Sequence, residues 1–178
     1  FGKSTREMAS PGTFRNLSLS ARSEKKVVLS AVKKNGYNLR YASSPLKKDE
    51  EVVYAAITSH PLAFRYAPYS IRMDPFYVFL AAKEDADALL YSHSSLRSNL
   101  VFMQRLVSAN VHTMRFAALT LRSDPSFVSE VAIVYPFAVH FCPRSCRDDP
   151  RFVLPVLTVS GMSLQFVSHR LRSSLSIV

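Results

Sequence analysis

The feature that most constrains this chain is a 25-residue repeat that runs through it without insertion or deletion. An acid or an amide opens the successive repeats, which we number 1 to 6, at Glu24, Asp49, Asp74, Asn99, Asp124 and Asp149. One aromatic position marks the register, at Tyr41, Tyr66, Tyr91, Phe116, Phe141 and Phe166. A fixed period of about 20–50 residues is typical of solenoids, whose units bury their apolar faces against their neighbours. The period therefore predicts six stacked repeats.

Each repeat divides into pieces that all have helical signatures. Three of the opening acids precede a proline, and a capping acid followed by proline is a common helix start. The end of this helix falls at Gly36, Pro61, Pro136 or Gly161, whereas Ala86 and Val111 in the other two repeats leave the turn in need of other support. A shorter helical piece carries the aromatic position, which we expect in the core, and a final α or 3₁₀ turn follows. The sequence predicts an all-α fold, a right-handed α-solenoid of six repeats.

Residues 1–22 differ in composition from the repeats. They are rich in Ser, Thr and Arg, carry one acid, Glu7, and contain the turn signal Pro11–Gly12. We expect an extended basic arm with a half-repeat cap over residues 1–22 and the solenoid over residues 23–178. An acid-poor, Ser/Arg-rich leader also resembles an organellar transit peptide or its remnant. Phe1 resembles the residue that follows cleavage in proteins sent to red-algal-derived plastids, so we expect an organelle, a plastid before a mitochondrion.

One stretch of the repeats has a recognisable pattern, V-L-x-A-V-x-x-N-G-x-x-L-x-Y-A followed by L-[KR]-x-D. It is matched by Val28, Leu29, Ala31, Val32, Asn35, Gly36, Leu39, Tyr41, Ala42, Leu46, Lys47 and Asp49. On these residues the chain resembles the family called domain of unknown function 4116. The resemblance is close over repeats 1 and 2 and degenerate from Asp74 onward. It implies an all-helical repeat protein and brings no catalytic residue with it.

The sequence offers few residues for catalysis or cofactor binding. Four glycines cannot build a phosphate-binding glycine loop. His140, Cys142 and Cys146 would give a metal three ligands where structural zinc usually takes four. The two cysteines stand where other repeats hold small or apolar residues, which favours buried, reduced thiols. We expect no enzyme activity, no cofactor and no metal site.

The basic residues of the chain are unevenly spread. Of the net charge of +10, residues 1–50 contribute 11 Lys/Arg against four Asp/Glu. A basic residue also ends each repeat, at Lys47, Arg72, Arg97, Arg122, Arg147 and Arg172. These residues either stabilise the dipole of the short helix that they end or contact phosphates or acidic protein surfaces. A partial second row consists of Arg40, Arg65 and Arg115. The predicted partner-binding residues are Lys3, Arg6, Arg15, Arg22, Lys25, Lys26, Arg72, Arg97, Arg122 and Arg147.

Two functions are consistent with these patterns. The first is a non-catalytic scaffold, an accessory subunit held by the protein subunits of a large organellar complex such as a photosystem or respiratory assembly. The alternative is an RNA-binding repeat protein, for example in an organellar ribosome. The variable positions Lys33, Thr58, Lys83, Ser108, Ile133 and Thr158 do not form the polar column that base-reading repeats present. We predict contact with RNA or anionic lipid heads as a further option, and no transmembrane segment.

The N-terminal arm gives the first test. Deleting residues 1–13 should leave the melting temperature nearly unchanged, because few apolar residues there contribute to a core. The deletion should weaken assembly with a partner in a salt-sensitive way, because contacts made by exposed charges are screened by salt. Thermal melts and co-purification of the full and truncated chains measure both effects. Unfolding of the truncated chain, or full co-purification at moderate salt, would contradict the prediction.

Overall fold

The structure, a computed structural model, describes residues 14–174. Every regular element in this range is a helix, and the range contains no strand. The predicted all-α class is confirmed. The chain falls into two compact units that divide between His93 and Ser94.

The first unit alternates α-helices with 3₁₀ helices. Its α-helices are α1 (Lys25–Lys34), α2 (Glu50–Ser59), α3 (Tyr69–Met73) and α4 (Pro75–Ala82). Its 3₁₀ helices are η1 (Ala21–Ser23), η2 (Gly36–Tyr41), η3 (Pro61–Tyr66) and η4 (Ala86–Tyr91). Before η1, Phe14 is fully buried and packs with residues of repeat 1. The predicted arm lies mostly in residues 1–13, outside the described residues.

The second unit repeats the same order of elements. Its α-helices are α5 (Ser94–Ser98), α6 (Leu100–Ala109), α7 (Leu119–Arg122), α8 (Pro125–Val134), α9 (Arg144–Arg147), α10 (Pro150–Val159) and α11 (His169–Ser174). Its 3₁₀ helices are η5 (Val111–Phe116), η6 (Pro136–Phe141) and η7 (Gly161–Phe166). Each repeat thus consists of a capped α-helix, a 3₁₀ helix of six residues and a short final turn.

The capped helices begin where the sequence predicts. The side chain of Asp49 accepts a hydrogen bond from the Val52 N–H at 3.2 Å, and that of Asn99 accepts from the Phe102 N–H at 2.9 Å. In the three repeats with proline at the first helical position, the capping carboxylate accepts instead from the N–H of the residue after the proline. Asp74 accepts from Phe76, Asp124 from Ser126 and Asp149 from Arg151. Each cap satisfies one of the N–H groups that a helix start leaves unpaired. Glu24 occupies the same position in repeat 1 but makes no such bond.

Polar side chains replace the missing Gly or Pro at the turn into the 3₁₀ helix. Asp85 accepts from the Asp87 N–H at 3.0 Å, and Asn110 accepts from the His112 N–H at 3.1 Å. Both capping residues have extended backbones, with φ of −138° and −151°. These bonds are the support that the sequence requires before Ala86 and Val111.

A backbone hydrogen bond joins consecutive repeats within each unit. The carbonyl of the basic residue that ends one repeat accepts an N–H from the residue 21 positions later. The pairs are Ser43 to Arg22 (3.1 Å) and His93 to Arg72 (3.2 Å) in the first unit, and Ala118 to Arg97 (2.8 Å) and Ser168 to Arg147 (3.0 Å) in the second. Pro68 and Pro143, 21 residues after Lys47 and Arg122, have no N–H to donate, so the bond is missing at those two joints.

The core lies two residues before the aromatic position, and our prediction for that position was wrong. The side chains at Leu39, Phe64, Leu89 and Met114 are 0% exposed. The six aromatic residues that mark the register are each only half-buried. With about three residues per turn in a 3₁₀ helix, positions i and i+2 point to different faces. The buried face is thus set by the earlier residue, and the aromatic ring lies at the edge of the core, where Tyr41 and Tyr66 pack against it and stay partly exposed.

Gly36 is packed directly against the backbone of α2. A Cβ at this residue would lie 2.2 Å from the Ala56 carbonyl oxygen, which is fixed in α2. The Gly36 N–H also donates to Nδ1 of His60 at 3.1 Å. A Cβ at Gly161, by contrast, would meet nothing within 4 Å. Neither glycine has a positive φ, so the two differ in space and not in backbone strain.

These glycines form a matched pair of substitutions. Gly36→Ala should lower the free energy of unfolding by about 1–3 kcal/mol, because the backbone of α2 must move to admit the methyl group. Gly161→Ala should leave it unchanged or raise it by about 0.4–1 kcal/mol, through the lower entropy of the unfolded chain. Urea unfolding of both variants gives the comparison, and equal effects would contradict close packing at Gly36.

Candidate interaction surface

Arginine and tyrosine side chains alternate along one surface of the first unit. In order, they are Arg15, Tyr41, Arg40, Tyr66, Arg65 and Tyr91. Each guanidinium carbon lies over the neighbouring ring, at successive distances to the ring centroids of 6.0, 5.8, 5.9, 5.4 and 5.2 Å. We call these six residues the arginine–tyrosine row.

The row follows from the last two residues of each 3₁₀ helix. Arg40 and Tyr41 end η2, and Arg65 and Tyr66 end η3. Each of these arginines contacts the tyrosine of its own repeat and the tyrosine of the next. Stacked repeats therefore turn a recurring Arg–Tyr dipeptide into a continuous line of side chains.

The geometry of the row leaves its cations available to a ligand. Arg15, Arg40 and Arg65 are exposed. Cation–π contacts at exposed sites contribute about 0.5–1 kcal/mol each, enough to restrict where an arginine side chain lies. A guanidinium held over a ring keeps N–H donors that match carboxylate and phosphate oxygens. Burial lowers the pKa of Lys47, and the positive charge of Arg40 lowers it further.

Two cations already occupy the ring of Tyr66. Arg40 lies over it at 5.9 Å and Arg65 at 5.4 Å. A nucleobase would have to displace one of them to stack on this tyrosine. The row is therefore suited to anionic groups more than to stacked bases.

The arginines that end the repeats have a different role from those of the row. Nη1 of Arg72 donates to the Tyr91 carbonyl at 3.3 Å. In the second unit, Nη1 of Arg122 donates to the Phe141 carbonyl at 3.1 Å, and Nη1 of Arg147 to the Phe166 carbonyl at 3.4 Å. Each bond joins an arginine to the aromatic position 19 residues later. These contacts support a structural role for the arginines that end the repeats.

The other predicted partner-binding residues lie in several environments. Lys3 and Arg6 are outside the described residues, and Arg15 begins the arginine–tyrosine row. Arg22 and Arg97 are half-buried at the joints between repeats. Lys25 pairs with Asp49 at 2.8 Å and Glu51 at 3.0 Å, and bonding to both carboxylates raises its pKa. Lys26 is exposed.

Sequence reasoning found the second arginine row but did not choose it as a site. Arg40 and Arg65 were separated from the tyrosines because the aromatic position was predicted to lie in the core. The available signal was the dipeptide itself, Arg40–Tyr41 and Arg65–Tyr66, at the same place in adjacent repeats. In the second unit the matching residues differ: Arg115 lies 4.6 Å over Phe116, and His140 lies beside Phe141.

Comparison with known families bears on the part of the chain that carries the row. Residues 24–72 match the model of a family described as a domain of unknown function (DUF4116). Over these residues the chain is similar to that family. The DUF4116 segment contains α1, α2, η2 and η3, and with them Arg40, Tyr41, Arg65 and Tyr66. No curated protein and no solved structure matches the chain.

Membrane-spanning helices and metal sites are both missing from residues 14–174, and the two cysteines of this range are free. No helix among residues 14–174 is long and apolar enough to cross a membrane. No group of three or more His, Cys, Asp or Glu residues in that range could hold a metal ion. Cys142 and Cys146 are both free; Cys142 is buried as predicted, whereas Cys146 is half-buried. Burial raises the pKa of the Cys142 thiol to about 12.

Cys142 should make stability depend on pH at the alkaline end. The unfolded chain loses this proton near pH 9, the ordinary value, while the folded protein keeps it to about pH 12. The free energy of unfolding should therefore fall as the pH rises from about 9 towards about 12. Cys142→Ala, which installs the residue found at Ala67 and Ala117, should show a smaller fall. Equal pH dependence of the two proteins in denaturant unfolding would contradict the burial of this thiol, as would faster labelling of Cys142 than of Cys146.

Proposed function

We propose that this protein is a non-catalytic helical-repeat scaffold, an accessory subunit of a large organellar complex. In this proposal the six repeats stack into one right-handed solenoid, and the arginine–tyrosine row holds an acidic segment of a neighbouring subunit. The N-terminal features favour a plastid over a mitochondrion, with a photosystem or respiratory assembly as host. The observation that carries the proposal is the row of exposed arginines spaced by tyrosines.

The row is preorganised, which is what a binding surface needs. Arg40 and Arg65 each contact two rings, so less side-chain freedom is lost when a partner binds. No ion pair joins either of them to an acid within residues 14–174. Their charge is therefore not already neutralised by a described side chain, unlike that of Lys25.

The arginines form two sets with different contacts, and this difference also supports the proposal. Arg72, Arg122 and Arg147 donate to backbone carbonyls and hold successive repeats together. Arg40 and Arg65 donate to no described carbonyl, although Arg65 belongs to the same repeat as Arg72. A fold that needed arginine only for stacking would have no use for this second set on its surface.

An acidic protein segment fits the row better than RNA does. Carboxylates need only the N–H edges of the guanidinium groups, which can pair with them bidentately. Sequence-tolerant RNA binding relies on bases stacked on open aromatic faces, and the Tyr66 ring already carries two cations. Lys3 and Arg6 precede Arg15 in the sequence and add positive charge. In this proposal they form a second contact with the same partner.

RNA binding stays as a second candidate because phosphates pair with arginine as carboxylates do. Under this alternative, single-stranded RNA would lie along the row through its backbone. The logarithm of its binding constant would fall with the logarithm of salt concentration, with a slope of about −0.7 for each phosphate neutralised. A short uridine oligonucleotide is the appropriate probe.

The test removes two charges from the row. Arg40→Gln/Arg65→Gln should release the protein from its native complex at a salt concentration where the wild type stays bound. Lys33→Gln/Lys34→Gln removes two exposed charges from α1 in the same unit and should have little effect. Native gels of organelle extracts, run over a salt series with tagged chains, give the distribution between complex and free protein.

Three results would decide against the proposal. A wild-type chain that migrates as free protein in native extract has no host complex. Equal release of both double variants would show that net charge matters and the row does not. Nuclease treatment that frees the wild type, together with oligonucleotide binding lost in Arg40→Gln/Arg65→Gln, would assign the row to RNA.

A further inference from the structure

A basic cleft in the second unit lies between α9 and α11. It has a volume of about 440 Å³, and its lining includes the side chains of His140, Arg144, Arg147, His169 and Arg172. Cavities of about 300–1,000 Å³ are the size that small-molecule ligands occupy. No acid is among the residues that line it. We call it the basic cleft.

The three arginines of the basic cleft differ in their freedom. Arg147 is half-buried, and its Nη1 donates to the Phe166 carbonyl at 3.4 Å, which fixes the floor of the cleft. Arg144 and Arg172 are exposed. Neither makes a hydrogen bond or an ion pair with any side chain in residues 14–174. Two uncommitted guanidinium groups thus face a cleft whose third is held in place.

The nearest acid is already engaged outside the lining. Asp148 accepts hydrogen bonds from Arg170 Nε at 3.0 Å and from the hydroxyl of Ser168. Bonding to Arg170 and Ser168 lowers its pKa, and the charge of Arg144 lowers it further. Arg170 is the closer partner of this carboxylate, so most of the positive charge of Arg144, Arg147 and Arg172 is left without a counter-charge.

An earlier cleft of the same unit serves as an internal comparison. It is built from the equivalent parts of repeats 3 and 4 and has a volume of about 290 Å³. Where the basic cleft has Arg144 and His169, this one has Ser94 and Leu119. Its Arg122 donates to two carbonyls, at 2.9 and 3.1 Å, whereas the equivalent Arg172 has no described acceptor. The earlier cleft is also lined by three arginines, Arg97, Arg115 and Arg122, and by no acid, so the two clefts share a basic lining. The basic cleft differs in its two histidines and in Arg144 and Arg172, which bond no described acceptor.

From this arrangement we propose that the basic cleft binds a phosphate group, carried by a small molecule or a lipid headgroup. Guanidinium groups from two helices, α9 and α11, converge on it, and each can pair with phosphate oxygens bidentately. His140 and His169 add ring N–H donors at its edge, and Phe166 provides an apolar wall for the rest of the ligand. The site is independent of the arginine–tyrosine row, which belongs to the first unit.

Calorimetry with inorganic pyrophosphate tests the site on the full chain. The wild type should bind in a saturable manner with one pyrophosphate per chain. Arg144→Gln/Arg172→Gln should weaken binding by about tenfold or more, because the variant loses charge-assisted hydrogen bonds to the anion. The control Arg105→Gln/Arg151→Gln removes two exposed arginines elsewhere in the same unit and should stay within about twofold of the wild type.

A second arm distinguishes the source of the phosphate. Vesicles of phosphatidylcholine with and without phosphatidic acid are sedimented with the three proteins. Sedimentation that needs phosphatidic acid and is lost only in Arg144→Gln/Arg172→Gln assigns the phosphate to a lipid headgroup. Binding of pyrophosphate alone assigns it to a soluble ligand. Both results support the site.

The proposal fails if the wild type saturates with neither probe, or if the control variant loses as much binding as the cleft variant. Melting temperatures without ligand establish that the variants fold. Should the double variant not fold, the single variants Arg144→Gln and Arg172→Gln decide, since each side chain is exposed and each should lose a few-fold in affinity. Single variants that bind like the wild type would overturn the site.

Discussion

The stacking of repeats rests on one recurring backbone hydrogen bond, in which the carbonyl of a basic residue at the end of a repeat accepts an N–H 21 residues later, at Arg22, Arg72, Arg97 and Arg147. Its N···O distances lie between 2.8 and 3.2 Å in the two units. Three short helical pieces cannot bury their apolar faces alone, so each repeat depends on its neighbour. The bond fixes the register in which one repeat packs against the next.

The joint also explains why arginine is the residue at this position. Its carbonyl makes the backbone bond, and in Arg72, Arg122 and Arg147 the guanidinium reaches the carbonyl of the next aromatic position. Arg72 and Arg147 therefore bond the following repeat twice, through the backbone and through the side chain, whereas Arg122 bonds it through the side chain. The arginines that we propose to bind other molecules are different ones: those beside the tyrosines in the first unit, and those at the basic cleft in the second.

Part of the candidate site could be predicted from the sequence, and part could not. The period, the capping acids and the second row of arginines could all be read from residue spacing. The aromatic position was misassigned because its small neighbours are typical of a closely packed core. The six residues form a 3₁₀ helix, in which Phe64 takes the buried face and Tyr66 the surface. Only that geometry brings Tyr66 between Arg40 and Arg65.

The sequence by itself determined the all-helical class, the repeat boundaries and the helix starts, because caps, prolines and periodicity act over a few residues. Tertiary structure alone decided which arginines are bound and which are exposed. Arg65 and Arg72 lie seven residues apart and have the same charge, yet one rests over two tyrosine rings and the other donates to a carbonyl of the next repeat. That difference depends on contacts between residues about 20–25 positions apart, which local sequence preferences do not encode.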